Sequence, residues 1–207
     1  RWLGTRTVVF ETGSRFPMAT DYQVDVPEGT VAVTGVRLAR AERFRFSTPP
    51  PTIVSSWPKD ETAPHDPVMF AAFDQRIDPA AVLRTISVNS GSRAVRLRLA
   101  TSDEIERAEP VRRLSRAAEA GRWLAFRTEE RLPTDAAVVV TVGPGTPSAE
   151  GPKTTTAAQE WRFRTFGPLR VTRERCGDLR RHGDSQKAHV RRVLSGYGGE
   201  GGRENEK

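Results

Sequence analysis

The chain repeats itself. Sliding it by 116 positions sets Val9-Phe10 on Ala125-Phe126, Phe16-Pro17 on Leu132-Pro133, and Tyr22, Val24 and Val26 on Val138, Val140 and Val142. The same shift sets Gly29-Thr30 on Gly145-Thr146 and Gly35 on Gly151. After one inserted residue, Phe44, Phe46 and Thr48 fall on Trp161, Phe163 and Thr165. A repeat fixes architecture before any local propensity is weighed. The expectation is therefore two copies of one module, the first lacking its N-terminal half.

The repeated unit has the period of strands. Tyr22 to Val26 and Phe44 to Ser47 alternate apolar with polar, as a sheet with one buried face requires. Pro27, Gly29, Pro144 and Gly145 end the strands before them with turn chemistry. Pro49-Pro50-Pro51 cannot continue a ladder and reads as a stiff joint between modules. In the complete copy the pattern gives strands over 52–57, 67–73, 84–89, 94–100, 122–128, 136–142 and 159–166, and seven short strands fit an Ig-like sandwich. Asn89-Ser90-Gly91-Ser92 is a hairpin signal, and Asp78-Pro79 opens a helical turn. Thr101-Ser102-Asp103 caps a helical excursion with a stripe of Ile105, Val111, Leu114 and Ala118. Pro110 splits that excursion in two, Gly121 ends it, and it is expected to lie across a sandwich edge.

Four segments follow: 1–48, the C-terminal half of an Ig-like module; 49–166, a complete Ig-like β-sandwich; 167–175, the start of a third module; and 176–207, a disordered or frameshifted basic tail. The chain opens on Arg1-Trp2, which reads as an internal fragment. The fold class expected is all-β, with a short helical insertion.

The net charge of +7 raises nucleic acid or an anionic surface as a partner. Its distribution argues against one, because residues 49–166 carry 16 basic and 15 acidic side chains and the excess sits at the two ends. No stretch approaches the length of a membrane helix. Cys176 is the single cysteine, so an internal disulfide is impossible.

Each residue that could carry chemistry also has a plainer reading. His65 stands alone in residues 1–166, between Pro64 and Pro67, where a rigid exposed loop explains it better than a triad. Asp60, Asp66, Asp74 and Asp78 flank the second strand and offer oxygens to calcium, but their spacing matches no loop that supplies six ligands. Cys176, His182 and His189 lack the tight pairs of a zinc site. Gly196 to Gly202 lacks the Lys-Ser/Thr of a phosphate loop. Trp57, Trp123 and Trp161 lie on or beside strands, which favours core packing over a ligand-stacking surface. No catalytic, cofactor-binding or metal residue is assigned, and no enzymatic activity is expected.

Several phrases resemble a known family. Thr48 to Pro51, Ile53-Val54-Ser55-Ser56-Trp57-Pro58, Phe70-Ala71-Ala72-Phe73-Asp74-Gln75-Arg76-Ile77-Asp78-Pro79, Gly121 to Phe126 and Gly143 to Gly151 look like the Ig-like domains near the N-terminus of bacterial alpha-2-macroglobulin-like proteins. Arg15 to Thr20 and Val26 to Thr30 are similar to the preceding domain, and the modules resemble the surface-layer (SbsA) type. The resemblance implies an envelope or periplasmic protease trap with a bait segment and often a thioester. The thioester pattern is absent here, since Cys176 is followed by Gly177-Asp178-Leu179. The function expected is a structural or interaction module of such an inhibitor, with a surface-layer or adhesin-type binding module as the alternative. The partners expected are neighbouring domains of the parent chain and, through the full-length protein, a protease.

Overall fold

The computed structural model describes residues 2–3, 7–91, 93–168, 170–176 and 190–195. The first unit holds β1 (Trp2–Leu3), β2 (Thr7–Val8), β3 (Asp21–Val26) and β4 (Glu42–Ser47), paired antiparallel as two separate ribbons. The second unit runs β5 (Ile53–Trp57), β6 (Thr62–Ala63), β7 (Met69–Phe73), α1 (Pro79–Leu83), β8 (Ile86–Ser90), β9 (Arg93–Ala94) and β10 (Leu97–Leu99). It continues through α2 (Ser102–Arg107), α3 (Glu109–Ala117), β11 (Trp123–Thr128), β12 (Ala137–Val142) and β13 (Gln159–Thr165). β14 (Arg170–Cys176) and β15 (Val190–Ser195) pair with each other as their own antiparallel sheet. Within the segment expected to be a disordered or frameshifted basic tail, Val190–Ser195 is a strand, while 177–189 and 196–207 lie outside the described residues.

The second unit is an all-β sandwich. One sheet has the order β10-β11-β7-β5 and the other β6-β13-β12-β8-β9, antiparallel except for β6 beside β13. Alternate residues of each strand point to one face. Met69, Ala71, Phe73, Leu124 and Phe126 from the first sheet thus meet Ile86, Val88, Val138, Val140, Val142, Trp161 and Phe163 from the second in one buried cluster. The opposite face of the second sheet carries Arg162 and Arg164 in solvent.

Helical residues cover the other side of the first sheet. Val111 with Ile105, Leu114 and Ala118 packs on Val68, Phe70, Ala72 and Ala125, and on Trp57 and Trp123. The excursion thus covers a sheet face and not an edge as expected, because a stripe on two successive helices is too wide for an edge to bury. This also explains why Met69-Phe70-Ala71-Ala72-Phe73 is apolar throughout: both faces of β7 are buried. Thr101 and Glu104 form a reciprocal capping box at the start of α2. Glu104 also receives Arg98 and Arg127, which together with the Thr101 N–H hold its carboxyl far below the usual carboxylate range despite partial burial. The second helix stops at Ala117, ahead of the expected Gly121, and Gly121 takes a φ of +76° in the following turn.

The strand expected over 94–100 is in fact two, β9 in one sheet and β10 in the other. Val95 N–H still donates to Val88 O at 3.3 Å, while Glu129 N–H already donates to Arg96 O at 3.0 Å. Alternation does not distinguish one partner sheet from two, so a corner of this kind is silent in sequence. The helical turn at Asp78 is present, with Asp78 Oδ1 accepting Ala80 N–H at 2.9 Å and Ala81 N–H at 3.4 Å. Asp78→Ala is expected to cost about 1 kcal/mol, read as a lowered urea midpoint with an unchanged slope.

The repeat is visible in the hydrogen bonds. Gly29 N–H to Leu38 O corresponds to Gly145 N–H to Thr155 O, and the Val31–Arg37 bridge to Pro147–Thr154. The offset is 116 at Val31 and 117 at Arg37, so the inserted residue falls between them. Gly35 and Gly151, aligned in sequence, differ in setting: Gly35 takes a φ of +82° in an open turn, whereas Gly151 does not use that region and lies in a contact. One difference between copies is large. Val140, Trp161 and Phe163 are 0%, 4% and 4% exposed, whereas their counterparts Val24, Phe44 and Phe46 are 44%, 57% and 42% exposed. Among the described residues, no second sheet covers the first unit's apolar face.

Candidate functional site

A dense polar construction joins the two units. Its centre is Glu150, on the loop between β12 and β13, with a side chain only 6% exposed. A buried carboxylate needs partners for its oxygens, and Glu150 takes them from both units. Oε1 accepts Arg76 N–H at 2.8 Å, Oε2 accepts Met18 N–H at 3.1 Å, and both accept Arg15 Nη2 at 2.9 Å. Burial by itself would raise this carboxyl, but the Arg76 and Met18 N–H donors and the Arg15 charge outweigh it and hold Glu150 below its ordinary value.

The loop bearing Glu150 is braced from beneath. Ser148 Oγ accepts Glu150 N–H at 2.9 Å and donates to Gln75 Oε1 at 2.7 Å. Gln75 is fully buried, and its Nε2 donates to Pro49 O at 3.3 Å and Asp74 Oδ1 at 3.2 Å. The triproline joint is thereby tied to the sandwich, and Gln159 Nε2 ties it again through Pro51 O at 3.1 Å. Proline removes its own donor, so only the carbonyls of this segment can be held, and those of Pro49 and Pro51 are.

The first unit answers with a turn. Ala19 is fully buried in the left-handed region at φ 56°, its N–H donates to Pro49 O at 2.9 Å, and its carbonyl accepts Lys153 N–H at 2.9 Å. Lys153 Nζ adds an ion pair with Asp21 at 2.6 Å. Gly151 lies against this turn so closely that a Cβ there would be 2.2 Å from Thr20 Oγ1, 2.4 Å from Met18 O and 2.5 Å from Ala19 O.

Acid should loosen the joint. Glu150 has a folded-state value below its ordinary one, so its contribution is complete above the ordinary carboxylate value and is lost as pH falls through the lower folded one. Spin labels at the exposed Glu28→Cys and Glu129→Cys positions, on a Cys176→Ser background, should give a narrow distance distribution at pH 7 that broadens below about pH 4. Glu104 titrates in the same direction but lies in the helical insertion, and Glu150→Gln, broad at every pH, separates the two.

The residues singled out from sequence are dispersed. His65 Nε2–H donates to Phe166 O at 3.0 Å, and the half-buried ring ties its loop to the end of β13, where an exposed loop was expected. Asp60 turns the chain at φ 54°, Asp66 approaches Arg127 at 3.5 Å, Asp74 accepts Thr52 N–H at 3.0 Å, and Asp78 caps α1. Trp161 is buried edge-on against Phe126, and Trp123 stacks on Phe70 at 5.7 Å beneath the helices with Trp57 nearby. His182, His189 and Gly196 to Gly202 lie outside the described residues, as does the side chain of Cys176. Sequence reasoning gave no role to Glu150, Gln75 or Arg15. The available signal was that Arg15 to Thr20, Thr48 to Pro51, Phe73 to Arg76 and Gly143 to Gly151, all quoted for the family resemblance, converge on this one joint.

No protein-family model matches the chain, and no curated protein does. Among solved structures it is similar to the N-terminal part of the bacterial S-layer protein SbsC, at 14% identity and a TM-score of 0.37. That likeness covers 61% of this chain and spans 26% of the other.

Proposed function

We propose that this chain is a structural and interaction segment of a bacterial envelope protein, two Ig-like units held at a set angle, and that it carries out no reaction of its own. The observation that supports this most is the Glu150 joint. Connections between independent domains are usually sparse and mobile, whereas here one buried carboxylate binds backbone and side-chain donors of both units. Construction of that kind serves a molecule whose domains must keep their geometry while a distant part acts.

The parent we favour is an alpha-2-macroglobulin-like protease inhibitor, on the strength of the sequence phrases quoted above and of their convergence on the joint. This segment would then position neighbouring domains, with the bait and capture chemistry elsewhere in the parent. A surface-layer or adhesin-type array is the alternative. Reading the flanking DNA in all three frames separates them: a Cys-x-x-Glu-Gln segment selects the inhibitor, and tandem modules ending in a wall anchor select the array. The spacer role itself is tested by the labels at positions 28 and 129, where one narrow distance is expected and a broad distribution would overturn the reading.

A further inference from the structure

The turn that receives Glu150 occurs twice. In the first unit, Ala19 at φ 56° donates its N–H to Pro49 O at 2.9 Å, and Thr48 N–H donates to Thr20 O at 2.9 Å. Thr20 N–H donates to Thr48 Oγ1 at 3.0 Å, and Thr48 Oγ1 donates to Pro17 O at 2.9 Å. In the second unit, Asp135 at φ 55° donates its N–H to Phe166 O at 3.0 Å, and Thr165 N–H donates to Ala136 O at 3.0 Å. Ala136 N–H donates to Thr165 Oγ1 at 2.8 Å, and Thr165 Oγ1 donates to Pro133 O at 2.6 Å. All four bonds and the left-handed residue return, offset by 116 before the insertion and 117 after it. A left-handed residue other than glycine costs about 1–2 kcal/mol, yet neither position uses glycine.

Among the described residues, only the first turn is filled. Ala19 is fully buried by the second unit, while Pro133, Thr134 and Asp135 are exposed. Arg131 occupies the place of Arg15, with a side chain 82% exposed and a 4.0 Å approach to Asp66.

We infer that the Arg131–Ala136 turn is a docking socket for the Glu-Gly loop of a further module of the same kind, placed after the second unit as the second is placed after the first. This rests on the reading of the chain as a tandem spacer. The socket offers an arginine and the Thr134 N–H to a carboxylate, and the Asp135 carbonyl to a backbone N–H two to three residues later. It leaves little room for a side chain beside the Thr134 and Asp135 carbonyls, which selects glycine. Asp135 does not oppose the incoming carboxylate directly, because its Oδ1 accepts Arg164 Nε at 2.8 Å. The position of Thr20 is taken by Ala136, so the second socket is slightly wider. The chain leaves it in the same register, since Pro168 stands 117 positions after Pro51.

The test is a chain extended by one module: residues 1–168 continued by a second copy of 52–168. β14 and β15 pair only with each other among the described residues, so the sandwich keeps its core without them. Spin labels replacing Glu129 in both copies should give one narrow distance. Gly151→Val in the appended copy, or Arg131→Glu in the middle one, should broaden it. A broad distribution without either substitution, or no response to both, overturns the socket. A narrow distance between positions 28 and 129 in the same chain would leave the spacer reading standing, and a broad one there would remove both.

Discussion

Phe126→Ala should cost the second unit about 3–5 kcal/mol, against a total of roughly 5–15 kcal/mol for an ordinary domain. Phe126 is fully buried on β11, sits between Met69 and Leu99 in the ladder, and meets Trp161 edge-on at 6.5 Å across the sheets. Truncation removes the ring from the middle of the inter-sheet cluster, and strands on both sides are held by ladders that do not let them close the void. Chemical denaturation followed by Trp fluorescence should show the midpoint falling with little change in slope. A loss under about 1 kcal/mol would mean that the two sheets collapse together more freely than a packed interior allows. Phe126→Leu, which leaves a smaller void, should lie between the two.

The same residue shows how much was legible in the chain. Strand positions followed from alternation and from the repeat, and apart from β6, which was not expected, and the strand over 94–100, the observed bounds differ from the expected ones by a residue or two. Val138, Val140 and Val142 alternate with half-buried or exposed neighbours because one face of β12 meets solvent. β7 was legible only as an apolar run, since what covers its second face lies some forty residues later in α3. The split of β9 from β10 left no trace, because a strand that changes sheets keeps its period. The joint was half legible. Its triproline segment announced a boundary, and its phrases were conspicuous enough to carry a resemblance, but Glu150 in isolation is one acid among 26. What sets it apart is burial between two units, which is a tertiary fact. Among the candidates that lie in the described residues, His65, Asp60, Asp66, Asp74 and Asp78 are each engaged in turning, capping or tying the chain, which is again a tertiary fact that side-chain type alone does not carry.

Gly151→Val is expected to open the joint while leaving the second unit folded. The valine Cβ would lie 2.5 Å or less from three oxygens of the first unit, two of them backbone carbonyls that cannot rotate aside. Closing against that clash would cost more than the contacts across the joint return, since Arg15 and Met18 to Glu150 and Lys153 to Ala19 are worth about 0.5–3 kcal/mol each. The loop itself has no reason to distort, because Gly151 does not use the left-handed region and meets nothing of its own unit within 4 Å among its three nearest neighbours. The distance between labels at 28 and 129 should therefore spread as it does for Glu150→Gln, and trypsin should gain access to Arg15, while the denaturation midpoint of the sandwich stays near that of the parent. A midpoint that falls with the joint would mean that the two units form one cooperative body, and that Glu150 stabilises a fold more than it fixes an angle. Gly151→Ala is the milder case: it carries the same Cβ with no branches, so the turn at Ala19 has only to retreat from one atom, and an intermediate width is expected.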